Sequence, residues 1–565
     1  MVTSMILAQI QSPGDPSPGV SIPEIPWAAL SPELVLFGTG ILVLLLDTAG
    51  SDRVRISFGV GALLAGGAVY GGIETGQWPI PGMLILAAAT QFVLTLLWQG
   101  RPRLLGALLT CLGFVATIGV VAWQWYAYGA GTLIATESVL GEMVAVDGVA
   151  LFTRFTVSAA GLIAVPLGFA YLEDRKIHRG EYYPLILFAA TGMTLLGSAN
   201  DLLMVFIAVE ILSLALYILT AFARRDLNSQ ESAFKYFMMG AFSSAFLLYG
   251  IAIAYGATGT TNIPAMGAGL ASLSTPAPMA MAAIALMIVG LAFKAALVPF
   301  HMWTPDVYQG APAPVTGFMA AATKAAAFAV VLRIFVGALW PLQWSWQPIM
   351  WVIAVATMLL GAILAVVQLD VKRILAYSAI AHAGYIVIGV AALSRDGISA
   401  TLLYLFIYAF MSLGTFGVLA LLERRQAKAI AIADLRGLGR RSPMVAGVFA
   451  LLLLSLAGIP GTAGFIGKLA VFGAGVEAGL ERGDMWLVGL VVVAVVSSVI
   501  AAFFYIRLII VMFADDEPAD LAMLPMPTSA GSTVGLAVTG LAVIVLGILP
   551  TFAIDLATQA ASLAG

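Results

Sequence analysis

The stretch from residue 291 to residue 326 reads LAFKAALVPFHMWTPDVYQGAPAPVTGFMAAATKAA. It sets Lys294 and Lys324 inside apolar runs, with several prolines between them. A charged side chain at the centre of a bilayer costs about 2.5–3.5 kcal/mol on insertion scales. The stretch therefore predicts membrane-crossing helices that hold amines for a chemical purpose.

The whole chain has the composition of a polytopic membrane protein. Of its 565 residues, 61% are hydrophobic and only 10% are charged, whereas a soluble domain carries about 25% charged residues. Apolar runs of roughly 20 residues recur along nearly the whole length, and each can cross a hydrocarbon core of about 30 Å as a helix. The expected fold is therefore all-α, with the lipid bilayer as its surroundings.

Composition also excludes several functions. Cys111 is the only cysteine, which excludes disulfides and thiolate-bound clusters within this chain. The three histidines, His178, His301 and His382, are too few and too scattered for haem or a metal cage. The net charge of −3 is uninformative about partners, and no basic run suggests a nucleic-acid partner. We therefore expect no cofactor and no metal in this chain.

About sixteen candidate spans alternate with loops of uneven charge. The spans lie near residues 29–48, 55–73, 81–98, 103–126, 145–171, 182–199, 202–222, 230–256, 282–300, 315–337, 350–368, 374–393, 398–422, 443–476, 485–513 and 531–555. Odd-numbered loops hold most of the 26 Lys and Arg residues, while even-numbered loops hold only Arg395 and Arg482. Basic loops stay in the cytoplasm, so both termini should lie on the outer side.

Five titratable side chains lie well inside spans: Glu210, Lys294, Lys324, His382 and Lys468. Three charged lysines and one charged glutamate would together cost on the order of 10 kcal/mol, comparable with the net stability of a whole protein. One glutamate cannot neutralise three amines, which disfavours a purely structural role. Desolvation moves the pKa of an amine down and that of a carboxyl up, toward neutral pH. The set therefore favours proton transfer along a water-linked relay.

Other polar groups in the spans are less telling. Lys235 lies about one turn inside its span, and His301 adds an imidazole near Lys294; an ordinary imidazole pKa of about 6.5 suits a relay. Arg154, Arg333 and Arg507 lie near span ends. We expect these three to extend toward the headgroups, or to hold helices and loops together.

Two segments predict broken helices. Pro299 follows Lys294 by five residues, where it would free a backbone carbonyl close to the amine. The run Gly458-Ile459-Pro460-Gly461 precedes Lys468 and interrupts an apolar segment too long for one crossing. Transporters use such interruptions at ion sites near the membrane midplane.

The two breaks occupy corresponding places in residues 182–337 and 350–513, each of which contains five spans. Because five is odd, consecutive copies would face opposite ways across the membrane, as inverted repeats do. In this alignment Glu210 roughly matches His382, and Lys294 roughly matches Lys468.

Four stretches carry a resemblance to a known family. They read LVPFHMWTPDVYQGAPAPVTGFMAAATKAA, GMTLLGSANDLLMVFIAVEILSLALYIL, ESAFKYFMMGAFSSAFLLYG and LAGIPGTAGFIGKLAVF. Over about residues 145–513 the chain resembles the N-type antiporter-like subunits of bacterial respiratory complex I, the proton-translocating NADH:quinone oxidoreductase. The resemblance implies a fourteen-helix core. It leaves two additional helices, among residues 55–126, ahead of the segment MVAVDGVALFTRF.

The resemblance also implies roles for residues in the first repeat. Glu210 would be the glutamate of the input half-channel and would modulate the proton affinity of Lys294. Lys235 would be an accessory lysine near that pair.

In the second half, the resemblance implies that Lys324 connects the two repeats. His301 and His382 would lie on a polar central axis, and Lys468 would be the output-side lysine. The related M-type subunit has a glutamate at the position of Lys468, so the lysine here fits the N-type.

Six segments follow from this reading. The first three are a disordered lead at 1–28, N-terminal helices with a two-helix insertion at 29–144, and a core helix and cytoplasmic loop at 145–181. The other three are the first inverted repeat at 182–337, the second at 350–513, and a C-terminal loop and last helix at 514–565. By resemblance, NADH, FMN, iron–sulfur clusters and quinone belong to partner subunits. The partners would be an M-type neighbour and small membrane subunits of the bacterial inner membrane.

Three other functions stay open at this point. The buried lysine and glutamate machinery would also suit a subunit of a cation/proton antiporter. A ferredoxin-using complex of photosynthetic organisms contains a related subunit. A purely structural spacer in a membrane arm is disfavoured by the cost of the buried charges.

Overall fold

The computed structural model describes residues 27–48, 89–90, 93, 95–96, 101–129, 142–273, 278–425, 430–514 and 529–562. The predicted span near 55–73 lies outside these residues, as do most of the span near 81–98, most of the predicted lead at 1–28 and the start of the C-terminal loop. Within the described part the chain is all-helical, without strands. The all-α prediction is therefore confirmed.

The described helices, numbered here in chain order, have the following bounds. They are α1 Trp27–Thr48, α2 Pro102–Gly129, α3 Gly148–Asp174, α4 Tyr182–Ser198, α5 Leu202–Thr220, α6 Leu227–Thr258, α7 Ile263–Ser272, α8 Pro278–Ala295, α9 Trp303–Gly310, α10 Ala313–Ala338, α11 Gln343–Val366, α12 Val371–Ala391, α13 Arg395–Arg425, α14 Leu438–Arg441, α15 Pro443–Ala457, α16 Ala463–Arg482, α17 Met485–Ala514, α18 Ala530–Ile548 and α19 Thr551–Ser562. Short 3₁₀ turns cover Trp340–Leu342 and Ile432–Leu435. Of the helices in the described part, 13 are long and apolar enough to cross a membrane.

Aspartates fix where several of these helices begin. The Asp147, Asp201, Asp226 and Asp370 carboxylates each accept a hydrogen bond from a backbone N–H in the first turn of α3, α5, α6 and α12, at 2.8–3.0 Å. Such caps satisfy N–H groups that have no partner inside the helix. The helix starts therefore follow directly from Asp residues placed before apolar runs.

Matching contacts mark the two repeats, which comprise α4 to α10 and α11 to α17. Just before α5 and just before α12, the chain forms the same two-bond antiparallel bridge with a later loop of its own repeat. The bonds run from Leu202 N–H to the Thr261 carbonyl (2.8 Å), Ile263 N–H to Asn200 (2.9 Å), Val371 N–H to Ile430 (2.9 Å) and Ile432 N–H to Leu369 (2.9 Å). The bridges give an internal register for comparing the repeats.

Both predicted helix breaks are present. In the first repeat the helix ends at Ala295, Ala296 adopts a positive φ of 62°, and a new helix begins at Trp303. In the second repeat Gly458 and Gly461 both adopt φ of 86°, a conformation that glycine reaches without strain. The predicted single span near 443–476 is therefore two helices, α15 and α16.

The last predicted span, near 531–555, was wrong as a single helix. The helix α18 ends at Ile548, and a separate helix, α19, begins at Thr551. Pro550 lies between them. Proline lacks a backbone N–H, and it disfavours helical backbone at the residue before it.

Helix α10, which carries Lys324, is almost entirely buried between the repeats. Two π-type turns, Met319–Thr323 and Leu332–Ala338, flank its regular segment Lys324–Val331. A wider turn changes the direction of the side chains that follow it, and such turns occur frequently at functional sites. The central helix thus presents Lys324 directly after a local change in winding.

Two arginines expected near the headgroups are ion-paired instead. Arg154 is fully buried and binds both carboxylate oxygens of Glu33 on α1, at 2.8 and 3.0 Å. Arg333 binds both carboxylate oxygens of Asp147 at 2.7 Å. The prediction that Arg154 and Arg333 extend toward the headgroups was wrong, because a carboxylate lies within hydrogen-bond distance of each. The alternative prediction, that they hold helices and loops together, is the one observed.

Candidate proton-transfer site

Three lysines lie buried in the membrane-spanning bundle. Lys294 ends α8, Lys324 lies at the centre of α10, and Lys468 lies in the second turn of α16; each is 4–5% exposed. Among the described residues, no carboxylate lies within 4.0 Å of any of these amines. Each amine instead donates to a hydroxyl or a backbone carbonyl, so no fixed counter-ion holds it in its charged form.

The first lysine binds a serine on the helix that also carries Glu210. Lys294 Nζ donates to Ser213 Oγ at 2.8 Å, and the Ser213 hydroxyl in turn donates to the Val209 carbonyl. Glu210 lies one turn before Ser213 on α5, is half-buried, and interacts electrostatically with the amine. Its Oε1 is buried and has no hydrogen-bond partner among the described residues. This arrangement brings Glu210 and Lys294 together without a direct ion pair.

A small cavity adjoins the Lys294 side chain. Gly240, Ser243 and Ser244 on α6 line it, together with Tyr217 and Lys294. Its volume of about 10 Å³ is near the lower limit for one water molecule. The serine hydroxyls supply the polar partners that such a water would need.

Lys324 contacts the second repeat directly. Its amine donates to the Ala379 carbonyl on α12 and lies over the Tyr408 ring, 5.1 Å from the ring centroid. Counting from the capping aspartates of α5 and α12, Ala379 occupies the place of Glu210, nine residues after the cap. The second repeat therefore offers a carbonyl where the first offers a carboxylate.

His382 is fully enclosed by tyrosines. Its Nδ1 lies 2.6 Å from the Tyr404 hydroxyl, and its Nε2 lies 3.2 Å from the Tyr505 hydroxyl. The Tyr408 ring, which also contacts Lys324, lies 5.2 Å from the imidazole. A neutral imidazole has one N–H donor and one acceptor nitrogen, so the two phenols can fix or exchange its tautomer.

The register of the repeats refines the expected match between Glu210 and His382. His382 lies twelve residues after the cap Asp370, and the residue twelve after the cap Asp201 is Ser213. The equivalent of His382 is therefore Ser213, one helical turn beyond Glu210. The expected match was wrong by that turn because the apolar helices offer no sequence marker of register.

Lys468 uses the second helix break as predicted. Its amine donates to the carbonyl of Ala457, the last residue of α15, at 2.7 Å, and to Ser498 Oγ on α17 at 2.6 Å. The Tyr385 ring lies 5.3 Å away. In the first repeat, by contrast, the Lys294 amine donates to the Ser213 hydroxyl instead of a backbone carbonyl of the helix break.

Electrostatic and ring contacts join these sites into one group. His382 interacts electrostatically with both Lys324 and Lys468. On the other side, the Tyr236 ring lies 5.8 Å from the Lys294 amine and stacks on Trp303 at 4.7 Å. Lys324, His382 and Lys468 therefore form the core of the arrangement, with Lys294 at its edge.

The structure places two predicted residues apart from this core. Lys235 is 42% exposed and pairs with Glu231 at 2.7 Å and Asp306 at 2.8 Å. His301 lies half-buried in the first helix break, and the contacts of the described residues do not link its side chain to the three buried lysines. Lys235 was expected inside a span, yet its long side chain reaches polar partners outside it.

Several residues of the site were not singled out from the sequence. They are Ser213, Ser498, Asp306, Lys372, Glu423 and the tyrosines Tyr385, Tyr404, Tyr408 and Tyr505. Tyr404 and Tyr408 are four residues apart in YLFIYAF, a spacing that places both on one helix face. Within the described part, no group of three or more His, Cys, Asp and Glu side chains could hold a metal ion.

Comparisons with known proteins agree with this geometry. Residues 199–501 match the family described as "NADH:quinone oxidoreductase/Mrp antiporter, TM". The chain is 43% identical over 551 residues to the NADH-quinone oxidoreductase subunit N of Rhodococcus opacus (strain B4), covering 96% of this chain and 97% of that protein. The additional length therefore has a counterpart in that relative.

Two solved structures are similar. One is a chain of respiratory complex I from Thermus thermophilus with bound aureothin, with 33% identity and a TM-score of 0.67 over 84% of this chain and 99% of that chain. The other belongs to the Mrp complex from Dietzia sp. DQ12-45-1b, with 21% identity and a TM-score of 0.68 over 94% of this chain and 97% of that chain, a likeness of fold alone. The chain belongs to the subunit N family of NADH-quinone oxidoreductase, the N-type antiporter-like membrane subunits of respiratory complex I.

Proposed function

We propose that this subunit translocates protons across the bacterial inner membrane, driven by electron transfer from NADH to quinone in other subunits. It would act as a non-redox part of a translocase. The observation that carries the proposal is a set of three buried lysines, Lys294, Lys324 and Lys468. Among the described residues no carboxylate lies within 4.0 Å of these amines, and each amine is hydrogen-bonded to a group that can accept from either an ammonium or a neutral amine.

In this proposal the first repeat takes up the proton. Glu210 modulates the proton affinity of Lys294 electrostatically, while the Ser213 hydroxyl, one turn further along α5, holds the amine by a hydrogen bond. A lone buried carboxylate oxygen favours a nearby positive charge, so a charged Glu210 supports a protonated Lys294. Lys235 and His301 would assist at the periphery, since neither touches a buried amine.

The proton would then pass to the central and second sites. Lys324 connects the repeats because it lies on the shared helix α10 and donates to α12. His382 interacts electrostatically with both Lys324 and Lys468. Each of its ring nitrogens lies within hydrogen-bond distance of a phenol, so the imidazole can take up a proton on one nitrogen and release one from the other. Lys468 would deliver the proton to the outer side.

The surroundings of the subunit are part of the proposal. Its neighbours would be an M-type antiporter-like subunit and small membrane subunits. The NADH, FMN, iron–sulfur clusters and quinone would lie in partner subunits. Both chain termini would face the outer side. An assembly within complex I is supported by the names of the relatives.

The test is pumping by an assembled Lys294→Ala complex. The complex, purified in mild detergent and reconstituted into vesicles, should keep quinone reduction but lose most quinone-linked proton pumping, because the input amine is gone. Lys176→Ala, an exposed lysine outside the spans, is the matched control and should pump normally. Pumping at the unmodified rate in Lys294→Ala would remove this lysine from the mechanism.

The same preparation separates the other functions. Copurification of an NADH-binding flavoprotein favours complex I over a ferredoxin-using complex. Sodium-dependent transport without NADH oxidation would instead favour a cation/proton antiporter, whose fold the Mrp likeness shares.

A further inference from the structure

A polar vestibule opens on the side of the bundle that carries the basic loops. It lies between the ends of α3, α5, α9 and α13 and the starts of α6, α10 and α12, and its volume is about 160 Å³. Four acidic side chains line it: Asp226, Glu231, Asp306 and Glu423. The volume is sufficient for several water molecules, each of which takes about 30 Å³ in the liquid.

The mouth and the floor of the vestibule differ in exposure. At the mouth, Lys235 and Asp306 form an exposed pair, and Arg373 also binds Asp306 at 2.7 Å. At the floor, Lys372 is 2% exposed and Glu423 is 11% exposed, and their charged atoms meet at 2.7 Å. The floor pair therefore separates water in the vestibule from the interior of the bundle.

Every element packed at the floor contributes to the surroundings of Glu423. Lys372 on α12 also donates to the Ala311 carbonyl at 2.5 Å, and the Ala313 N–H of α10 donates to Glu423 Oε2 at 3.2 Å. From α3, Tyr171 lies against the Glu423 carboxylate, and the Arg175 guanidinium donates to the Glu423 backbone carbonyl at 3.2 Å. Lys372 is thus the basic side chain paired with this carboxylate in the described structure.

A stripe of hydroxyl groups lies on α13 between the floor and the buried lysine core, and it begins at Thr415, eight residues or about 12 Å before Glu423. On α13, Tyr404, Tyr408, Ser412 and Thr415 share one helix face with Glu423, since their spacing places them within about 100° of one another around the helix. The distance from Glu423 to Tyr408 is about 22 Å at 1.5 Å per residue. The stripe ends at His382, which Tyr404 contacts, and at Lys324, which lies over Tyr408.

A second hydroxyl group supports the same route. Tyr308 on α9 is buried between the vestibule lining and the core, and its phenol lies within electrostatic range of Tyr408. The ring also packs on Phe416 of α13 at 5.8 Å. Two helices therefore place hydroxyls between the floor pair and Lys324.

We propose that the Lys372–Glu423 pair is the inner gate through which protons from the vestibule reach Lys324. This inference rests on the proposed proton translocation and adds a second entry to it: Lys294 is loaded through the first repeat and Lys324 through the vestibule, and pumping needs both. In the step, a hydronium ion in the vestibule protonates the Glu423 carboxylate and leaves water. The neutral carboxyl releases Lys372, and its proton then passes along water and the α13 hydroxyls to the neutral amine of Lys324, which becomes an ammonium. Glu423 returns to the carboxylate and pairs with Lys372 again.

The gate is tested with Glu423→Gln and Glu423→Asp in the assembled, reconstituted complex. Glu423→Gln keeps the size of the side chain but cannot carry the proton, so pumping should fall at least about tenfold while assembly persists. Glu423→Asp keeps a carboxyl group and should restore a measurable part of the pumping. A purely structural role would give the opposite order, because aspartate is shorter and fits the floor less well than glutamine.

Two controls make the result decisive. Glu173→Gln alters a carboxylate that pairs with the exposed Arg103 and does not line the vestibule, and assembled complexes should pump normally. Lys324→Ala tests the proposed function itself. Normal pumping in Glu423→Gln together with lost pumping in Lys324→Ala overturns the gate alone, whereas normal pumping in both overturns the proposed function.

If Glu423→Gln fails to assemble, a second variant tests the route. Tyr308→Phe then decides, because it removes only a hydroxyl from the route. Reduced pumping with intact quinone reduction supports the route, and unchanged pumping in Tyr308→Phe overturns it.

Discussion

The Lys294 amine donates a hydrogen bond to the Ser213 hydroxyl at 2.8 Å, and this bond joins the end of α8 to helix α5. Glu210, the carboxylate expected to control that lysine, reaches it only electrostatically. Ser213 therefore holds the Lys294 amine against the helix that carries Glu210.

Replacing Ser213 with alanine should lower proton pumping about tenfold, because a hydrogen bond to a charged group contributes about 1.5–3 kcal/mol. Ser213→Thr keeps a hydroxyl and should retain most of the pumping. The control is Thr156→Ala, which removes a buried hydroxyl bonded only to its own helix. Pumping rates of reconstituted complexes provide the measurement, and equal rates for Ser213→Ala and Thr156→Ala would contradict the coupling.

The substitution Lys468→Glu should leave partial pumping, whereas Lys468→Ala should abolish most of it. A carboxylate at this position can still relay a proton beside Ser498 and the end of α15, while alanine cannot. Quinone reduction and vesicle acidification are measured on the same preparation. If both variants pump normally, the assignment of Lys468 to the output side is wrong.

Gly458→Ala should impair pumping more than Gly461→Ala does. Both glycines adopt φ of 86°, so both substitutions introduce backbone strain. A Cβ at Gly458 would lie 2.8 Å from Lys468 Cδ, whereas a Cβ at Gly461 would meet nothing within 4 Å among the described residues. Pumping normalised to the amount of assembled complex isolates the displacement of Lys468. Equal losses in the two variants would attribute the effect to strain alone.

Breaking the Arg154–Glu33 pair should destabilise the subunit by about 3–5 kcal/mol, because the remaining charge is left buried without a partner. Replacing both residues with apolar ones should be less damaging than replacing either alone. Arg103→Met breaks an exposed pair with Glu173 and should change stability by less than about 1 kcal/mol. Thermal unfolding of the detergent-solubilised complex measures these effects, and a single variant as stable as Arg103→Met would refute the anchoring role of Arg154.

Much of the fold could be predicted because its signals are local. Long apolar runs, capping aspartates and the Gly458–Gly461 run indicate helices and breaks without knowledge of their neighbours. The last span failed because Pro550 divides it, a local signal that was present but outweighed by apolar length.

The site was predictable in its charges but not in its contacts. The sequence shows that Lys294, Lys324 and Lys468 lie within apolar spans, where a charge is costly to bury. Ser213 has no sequence feature that distinguishes it from other small residues in a helix. Lys372 and Glu423 fall just outside the predicted spans 374–393 and 398–422, and no local pattern indicates that two residues 51 positions apart form an ion pair inside the bundle.

Lys324 and Lys468 share the interior of one bundle, and no carboxylate of the described residues lies within 4.0 Å of either amine. Each proton that enters raises the free energy of placing another nearby, because like charges repel strongly where water is scarce. Protonation of one amine should therefore disfavour protonation of the other. Such repulsion would make the amines protonate one after the other without a conformational change.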